Sequence, residues 1–270
     1  NKFLSHIREV DAIIHMIRCF ESEDIQNVNP NIDPIRDLEI IETEMKLADL
    51  ESIQKRLDKK NKKNSSENEI NILESALDSI NNDKSVEEIL NKNFSKKELH
   101  QTGLLSTKPK LFVCNVDEKS ISEGNSYTKA FISKFGEKNT ILISADIENQ
   151  INQLESEEKI NYMKMIALKE TGLNTLIKKG YKLLELETFF TSGPEETRAW
   201  TITKDSTAPN AAGEIHSDFE KGFIRAETIS YEDFLDNQGW LKSKEAGKMR
   251  LEGKEYIVKD GDILNFRFNT

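Results

Sequence analysis

Two short segments carry the groups best suited to chemistry. In LFVCNVDE, residues 111–118, an apolar run delivers Asn115 at its end and an acid, Glu118, three residues later. Ligands of open parallel sheets bind in the crevice beyond the carboxyl ends of the strands, so both groups would stand where a ligand is read. Asn also ends strands because it suits turns, and the segment alone leaves that plainer reading open. The next apolar run, TILIS, ends in Ser144-Ala145-Asp146, a second strand end on the same side.

In GTPases the corresponding strand ends in Asn-Lys-x-Asp, whose Asp accepts from the N1 and N2 donors of guanine. Here Val116 replaces the Lys and Glu118 the Asp. A longer carboxylate must sit elsewhere to accept that pair, and adenine has no N2 donor, so guanine selectivity is not expected. His6, His15, His100 and His216 show no metal-ligand spacing with one another or with Cys19 and Cys114, so zinc is not expected. His15 reads as a hydrogen-bonded core residue. The two cysteines sit in apolar runs and fit buried structural thiols in a reducing compartment, although oxidation of Cys114 could disturb its neighbour Asn115. The basic run Lys55, Arg56, Lys59, Lys60, Lys62, Lys63 reads either as a solvated helix tip or as a contact for RNA phosphate.

The elements that must position these groups follow from periodicity. Val10 to Phe20 reads as a short helix running into a buried strand. From Ile35 to Leu57 apolar residues recur at helical spacing, the basic run follows, and Ile70, Leu73, Leu77 and Ile80 restart the period, predicting a helical hairpin with a basic tip. Shorter helical pieces are expected at 86–90 and 96–99. Beyond Pro109 the pattern becomes strand, helix, strand over 111–115, 127–135 and 140–144, the alternation of a parallel α/β sheet, followed by helical segments around 155–170 and 173–186. From Thr188 short β runs at 189–191, 199–203, 222–229 and 262–268, punctuated by Gly, Pro and Asn, predict a small mixed β domain with one or two short helices. Its aromatics, Phe189, Phe190, Trp200, Phe223, Trp240 and Phe266, are needed for a core in so small a domain.

The 270 residues are 36% hydrophobic and 32% charged, with a formal net charge of −10. No run approaches the roughly 18 apolar residues of a membrane span, and no signal-peptide pattern opens the chain, so a cytoplasmic location is the default. The acidity argues against a general nucleic-acid coat and against DNA. With no initiator Met and no loop before its first helix, the sequence reads as a fragment.

Taken together, NKFLSHIREVDAIIHMIRCFE, DPIRDLEIIETEMKLADLESIQKRL, CNVDE and the long block ETFFTSGPEETRAWTITKDSTAPNAAGEIHSDFEKGFIRAETI resemble the YchF subfamily of Obg-like P-loop ATPases. The resemblance implies an α/β fold: a P-loop NTPase parallel sheet (1–34 and 106–187) carrying an inserted α-helical coiled-coil arm (35–105), then a ubiquitin-like, β-grasp TGS domain (188–270). It implies ATP binding and hydrolysis with Mg²⁺, a preference for ATP over GTP, and association with the ribosome, through the large subunit or the whole 70S particle. Asn115 and the main chain of Val116 would contact the base, Glu118 would occupy the guanine-reading position, and Ser144 and Ala145 would line the base pocket.

Two departures qualify that picture. The family's Gly-rich phosphate loop, switch threonine and Asp-x-x-Gly metal loop are not found in this sequence, so the 270 residues alone are expected not to hydrolyse ATP. Asn27 stands where many members have a His; it could orient a water but not act as a base near neutral pH. The competing reading is a nucleotide-independent binding module that docks on the ribosome or a protein through its arm and C-terminal domain. The run from Thr207 to Glu227, with His216, Asp218 and Glu220, shows no spacing that identifies a catalytic arrangement.

Overall fold

The computed structural model describes the chain except residues 1, 24, 26–30, 59–65, 83, 85, 87–92 and 270. Asn27, Lys59, Lys60, Lys62 and Lys63 lie outside the described residues, as does most of the helical piece expected at 86–90. The chain divides into two compact units, Asn1–Gly180 and Tyr181–Thr270.

In the first unit, helix α1 (Lys2–Glu9) leads into β1 (Ile13–Arg18), which pairs in parallel with β2 (Lys110–Asn115), which pairs in parallel with β3 (Thr140–Ile143). Alternation along β2 sends side chains to two cores. Cys114 joins Ile17, Cys19, Leu38, Val116 and Phe131 on one side, with Phe112 packed against them, whereas Val113 joins Ile141 and Ile143 on the other. Both faces of β2 and β3 are covered, which is why they read as continuous apolar runs, whereas Ile14 and Met16 on the edge strand β1 are exposed.

Helix α2 (Pro34–Leu57) starts sharply because the Asp33 side chain accepts from the Arg36 N–H and Pro34 occupies the first turn. Its 24 residues span about 36 Å at the usual rise. Leu38 therefore packs under the sheet while Ile53 belongs to a second core with Ile72, Leu73 and Ala76 of α3 (Glu67–Asn81) and Leu99 of α4 (Lys96–Thr102). Between those cores α2 carries a buried acid. Asp49 accepts from the N–H groups of Leu105 (3.0 Å) and Ser106 (2.8 Å) and from the Ser106 hydroxyl (2.7 Å), and it faces Arg8 at 3.4 Å. Each oxygen is thus satisfied, the condition under which a buried carboxylate persists.

His15 departs from expectation. It is buried and stacks on Phe112 with centroids 5.8 Å apart, yet its Nε2 stands 3.5 Å from Glu42 Oε1 and neither atom has a hydrogen-bond partner among the described residues. The other Glu42 oxygen is taken by the Lys110 ammonium at 2.7 Å. Lys110 draws the carboxylate towards β2, leaving the imidazole just out of reach.

Helices α5 (Ser126–Phe135), α6 (Ala145–Asn152), α7 (Ser156–Met165) and α8 (Gly172–Leu184) follow β2 and β3. Gly172 opens α8 against the sheet: a Cβ there would fall 2.6 Å from Ile143 Cγ1, so only glycine permits this approach.

The second unit is a mixed sheet in the order β5-β4-β8-β6-β7, formed by β4 (Leu186–Ser192), β5 (Thr197–Thr203), β6 (Phe223–Ile229), β7 (Arg250–Glu252) and β8 (Ile263–Phe268). The unit's first and last strands, β4 and β8, lie parallel in the middle, and helix α9 (Ala208–Ile215) packs Ala208, Ala211 and Ala212 on Phe189, Phe223, Ala226, Leu264 and Phe266, the expected β-grasp arrangement. The short helices are more than the one or two expected: α10 (Ser217–Lys221), α11 (Tyr231–Asp236) and α12 (Trp240–Glu245) join α9.

Candidate functional site

Parallel pairing sets Arg18, Asn115 and Ile143 side by side at the carboxyl ends of β1, β2 and β3. Past that level the ladder continues by one bond on each side, from Cys19 N–H to the Asn115 carbonyl and from Val116 N–H to the Ile143 carbonyl, both at 2.8 Å. The strand ends are thereby fixed, and the segments beyond them diverge around a shared rim.

Of the residues singled out in the sequence, Asn115 and Ala145 meet directly. Asn115 Oδ1 accepts from the Ala145 N–H at 3.0 Å, locking the carboxamide to the first residue of α6. With Oδ1 committed, the two Nδ2 hydrogens remain as donors. Val116 is buried, and its N–H is already committed to Ile143, so its main chain can offer a ligand only the carbonyl. Ser144 precedes α6 and is 1% exposed, yet its hydroxyl caps nothing and has no hydrogen-bond partner among the described residues. A buried hydroxyl left unpaired costs roughly 1–3 kcal/mol, so its persistence at this rim is informative.

Glu118, exposed in a short 3-10 turn (Glu118–Ser120), does not project freely. Its Oε1 accepts from Gln150 Nε2 at 2.6 Å, and Gln150 Oε1 in turn accepts from the Tyr162 hydroxyl. Glu148, two residues earlier on α6, accepts from the N–H groups of Gly172 (2.6 Å) and Leu173 (3.3 Å), tying α6 to the start of α8. None of Gln150, Tyr162 or Glu148 was anticipated. The one hint was the acidic first turn of α6, hidden because Ser144-Ala145 reads as a loop rather than as a helix start.

Asn125 begins α5 by capping Thr128 and also donates from Nδ2 to the Cys19 carbonyl at 2.6 Å. Arg18 donates to the carbonyls of Phe20, Ser22 and Ile25 and so shapes the segment after β1. Cys19 and Cys114 are fully buried. The Cys19 thiol's hydrogen bond to Cys114, reinforced by burial, pushes its ionisation well above the usual thiol range and suppresses its thiolate, while the same bond draws Cys114 below the usual range against the opposing effect of burial. Among the described residues no group of three or more His, Cys, Asp or Glu could hold a metal ion.

At the arm, Arg56 is folded inward. Its guanidinium donates to the Thr102 carbonyl at 2.7 Å and to Glu69, joining α2 to α3 and α4, which removes it from the basic tip. Lys55 is exposed and pairs with Glu51 at 2.5 Å, one helical turn back. In the second unit the run 207–227 proves to be packing chemistry. Phe219 stacks on Phe268 at 3.8 Å, Asn210 donates to Glu220 at 3.2 Å, and a Cβ on Gly222 would lie 1.9 Å from the Asn269 carbonyl oxygen. His216 Nδ1 accepts from the Asp218 N–H at 3.2 Å, beginning α10.

A parallel α/β sheet with Asn115, Ser144 and Ala145 gathered at its strand ends, followed by a β-grasp unit, is the architecture shared with P-loop NTPases of known structure. Residues 186–269 match the family model YchF-GTPase_C, described as a protein of unknown function. All of the chain aligns with curated relatives titled ribosome-binding ATPase YchF, at 44% identity in Haemophilus ducreyi and 44% in Bacillus subtilis, covering 76% of each relative. The solved structure of the Schizosaccharomyces pombe YchF GTPase superposes over 99% of this chain and 75% of its own with a TM-score of 0.82 at 32% identity. A GTP-binding protein from Pyrococcus horikoshii shares the fold, with a TM-score of 0.64 at 20% identity. The chain belongs to the YchF family of Obg-like P-loop NTPases.

Proposed function

We propose that these residues form the base-binding side of an ATP-hydrolysing protein that works on the ribosome in the cytoplasm. The observation that carries the reading is the Asn115 Oδ1 bond to Ala145 N–H, which leaves Nδ2 as donor and, beside it, the Val116 carbonyl as acceptor. A purine offers N7 to the first. Adenine then offers its 6-amino group to the second, whereas guanine would set its O6 carbonyl against another carbonyl, so ATP is preferred over GTP. The Ser144 hydroxyl, buried and unpaired, is a further group that a bound nucleotide can satisfy.

Hydrolysis needs a phosphate loop and Mg²⁺, which neutralises charge on the transferred phosphoryl group. No Gly-x-x-x-x-Gly-Lys-Ser/Thr occurs in the 270 residues, so the contribution of this chain is to bind and orient the base, and on its own it is inactive. The ribosome is the partner by analogy with the relatives, met through the second unit, acting as a TGS domain, and through the basic run of the sequence that Lys55 opens and Lys59, Lys60, Lys62 and Lys63 continue.

The test is equilibrium binding of a fluorescent ATP analogue to the full-length protein with GTP as competitor. ATP should compete better than GTP, and Asn115→Ala should weaken both by about tenfold or more, the loss of one hydrogen-bonded anchor. Absence of nucleotide binding in a protein that still sediments with ribosomes would reject the reading in favour of a nucleotide-independent docking module.

A further inference from the structure

We infer that Gln150 and Tyr162 are positioning residues that set nucleobase selectivity by holding the Glu118 carboxylate turned onto α6. This rests on the base-pocket reading above and deepens it.

The direction of the relay is determined by chemistry. An ionised Glu118 can only accept, so Gln150 must present Nε2 to it; Oε1 then faces Tyr162, whose hydroxyl, able to donate or accept, donates there. Nε2 donates to Glu118 Oε1 at 2.6 Å, a short bond of the charge-assisted kind. Gln150 lies on the same helix as Ala145, which Asn115 holds, so α6 is tied twice to this strand end: once through Asn115, the last residue of β2, and once through Glu118 beyond it. Tyr162 comes from α7 and is half-buried, giving the relay an anchor outside both segments.

The consequence concerns what Glu118 can accept. Guanine presents two parallel donors, N1–H and N2–H, which a carboxylate meets best with both oxygens in one plane. With Oε1 turned onto Gln150, the plane of the carboxylate is set by α6, and only Oε2 keeps its full accepting capacity towards the base. That suffices for a single donor such as the adenine amino group but not for the guanine pair. Releasing the carboxylate would restore a bidentate acceptor at the rim, and guanine binding should improve at adenine's expense. The relay is exposed in the ligand-free chain, but a base lying over it would exclude water, and an unpaired carboxylate would then be costly to cover.

The experiment compares dissociation constants of fluorescent ATP and GTP analogues for full-length wild type, Gln150→Ala and Tyr162→Phe, each also made in a Glu118→Ala background. The Kd(GTP)/Kd(ATP) ratio should fall about tenfold in both single variants, melting temperatures should stay close to wild type, and in the Glu118→Ala background neither substitution should change the ratio further. An unchanged ratio in the single variants, or the same change with Glu118 absent, overturns the relay while leaving ATP binding by the wild type intact. If the wild type binds neither nucleotide, the base-pocket reading fails and the relay with it.

Discussion

Ser144 shows how a single hydroxyl can weigh stability against binding. It is buried at the head of α6, spends no bond on the helix and finds no partner elsewhere among the described residues. Replacing it with alanine removes an unsatisfied polar group, so Ser144→Ala should be neutral or stabilising by up to about 1 kcal/mol in urea unfolding of the ligand-free protein. The same change should weaken ATP binding severalfold in a direct titration. A variant that loses stability and keeps its affinity would show that the hydroxyl serves the fold. Residues of this kind are hard to find by pattern. Asn115 was legible because it ends an apolar run, but Gln150 and Tyr162 lie on polar helical faces where nothing in the spacing sets them apart from solvated neighbours.

At the scale of elements, the packing of α2 on the sheet creates a pH response. Burial holds the His15 imidazole below its ordinary value of 6.5; Glu42 on α2 opposes this and Lys110 on β2 reinforces it. The native chain therefore binds fewer protons than the unfolded chain at and below that value. The stabilisation is fully present above about pH 6.5 and is lost as pH falls through the lower native value. Urea midpoints measured between pH 7 and 5.5 should decline in wild type and decline less in His15→Gln; equal slopes would show that other groups carry the response. Much of the element pattern was legible: β2, β3 and α2 lie within a residue of where apolar periodicity put them, whereas α3 and β4 begin three residues early and the helix read within Val10–Phe20 ends already at Glu9. The elements missed outright share a physical cause. Helices α10, α11 and α12 have only five or six residues each, too few for a 3.6-residue period to repeat, and β7 has three. Their existence is decided by caps, such as the Ser230 hydroxyl accepting from the Asp233 N–H at 3.2 Å, and by tertiary contacts.

For the whole molecule, the decisive fact is that each unit has its own core. Phe189, Ile202, Phe223, Ala226, Leu264 and Phe266 cluster with α9, and no member of that cluster comes from the first 180 residues. Residues 185–270 produced alone should consequently unfold in one cooperative thermal transition with near-native circular dichroism. A non-cooperative melt would mean that the core needs the rest of the chain.

The strand order of that second unit bears on synthesis. β8 lies between β4 and β6, so the sheet is two unconnected halves until residues 263–268 arrive. Until the ribosome has released that segment, β4 and β6 each present an unpaired edge, and the apolar side chains that β8 will cover remain wet. Folding of the unit therefore waits for residues 263–268, the segment that joins the halves, and any nascent chain lacking them leaves open edges that invite mispairing.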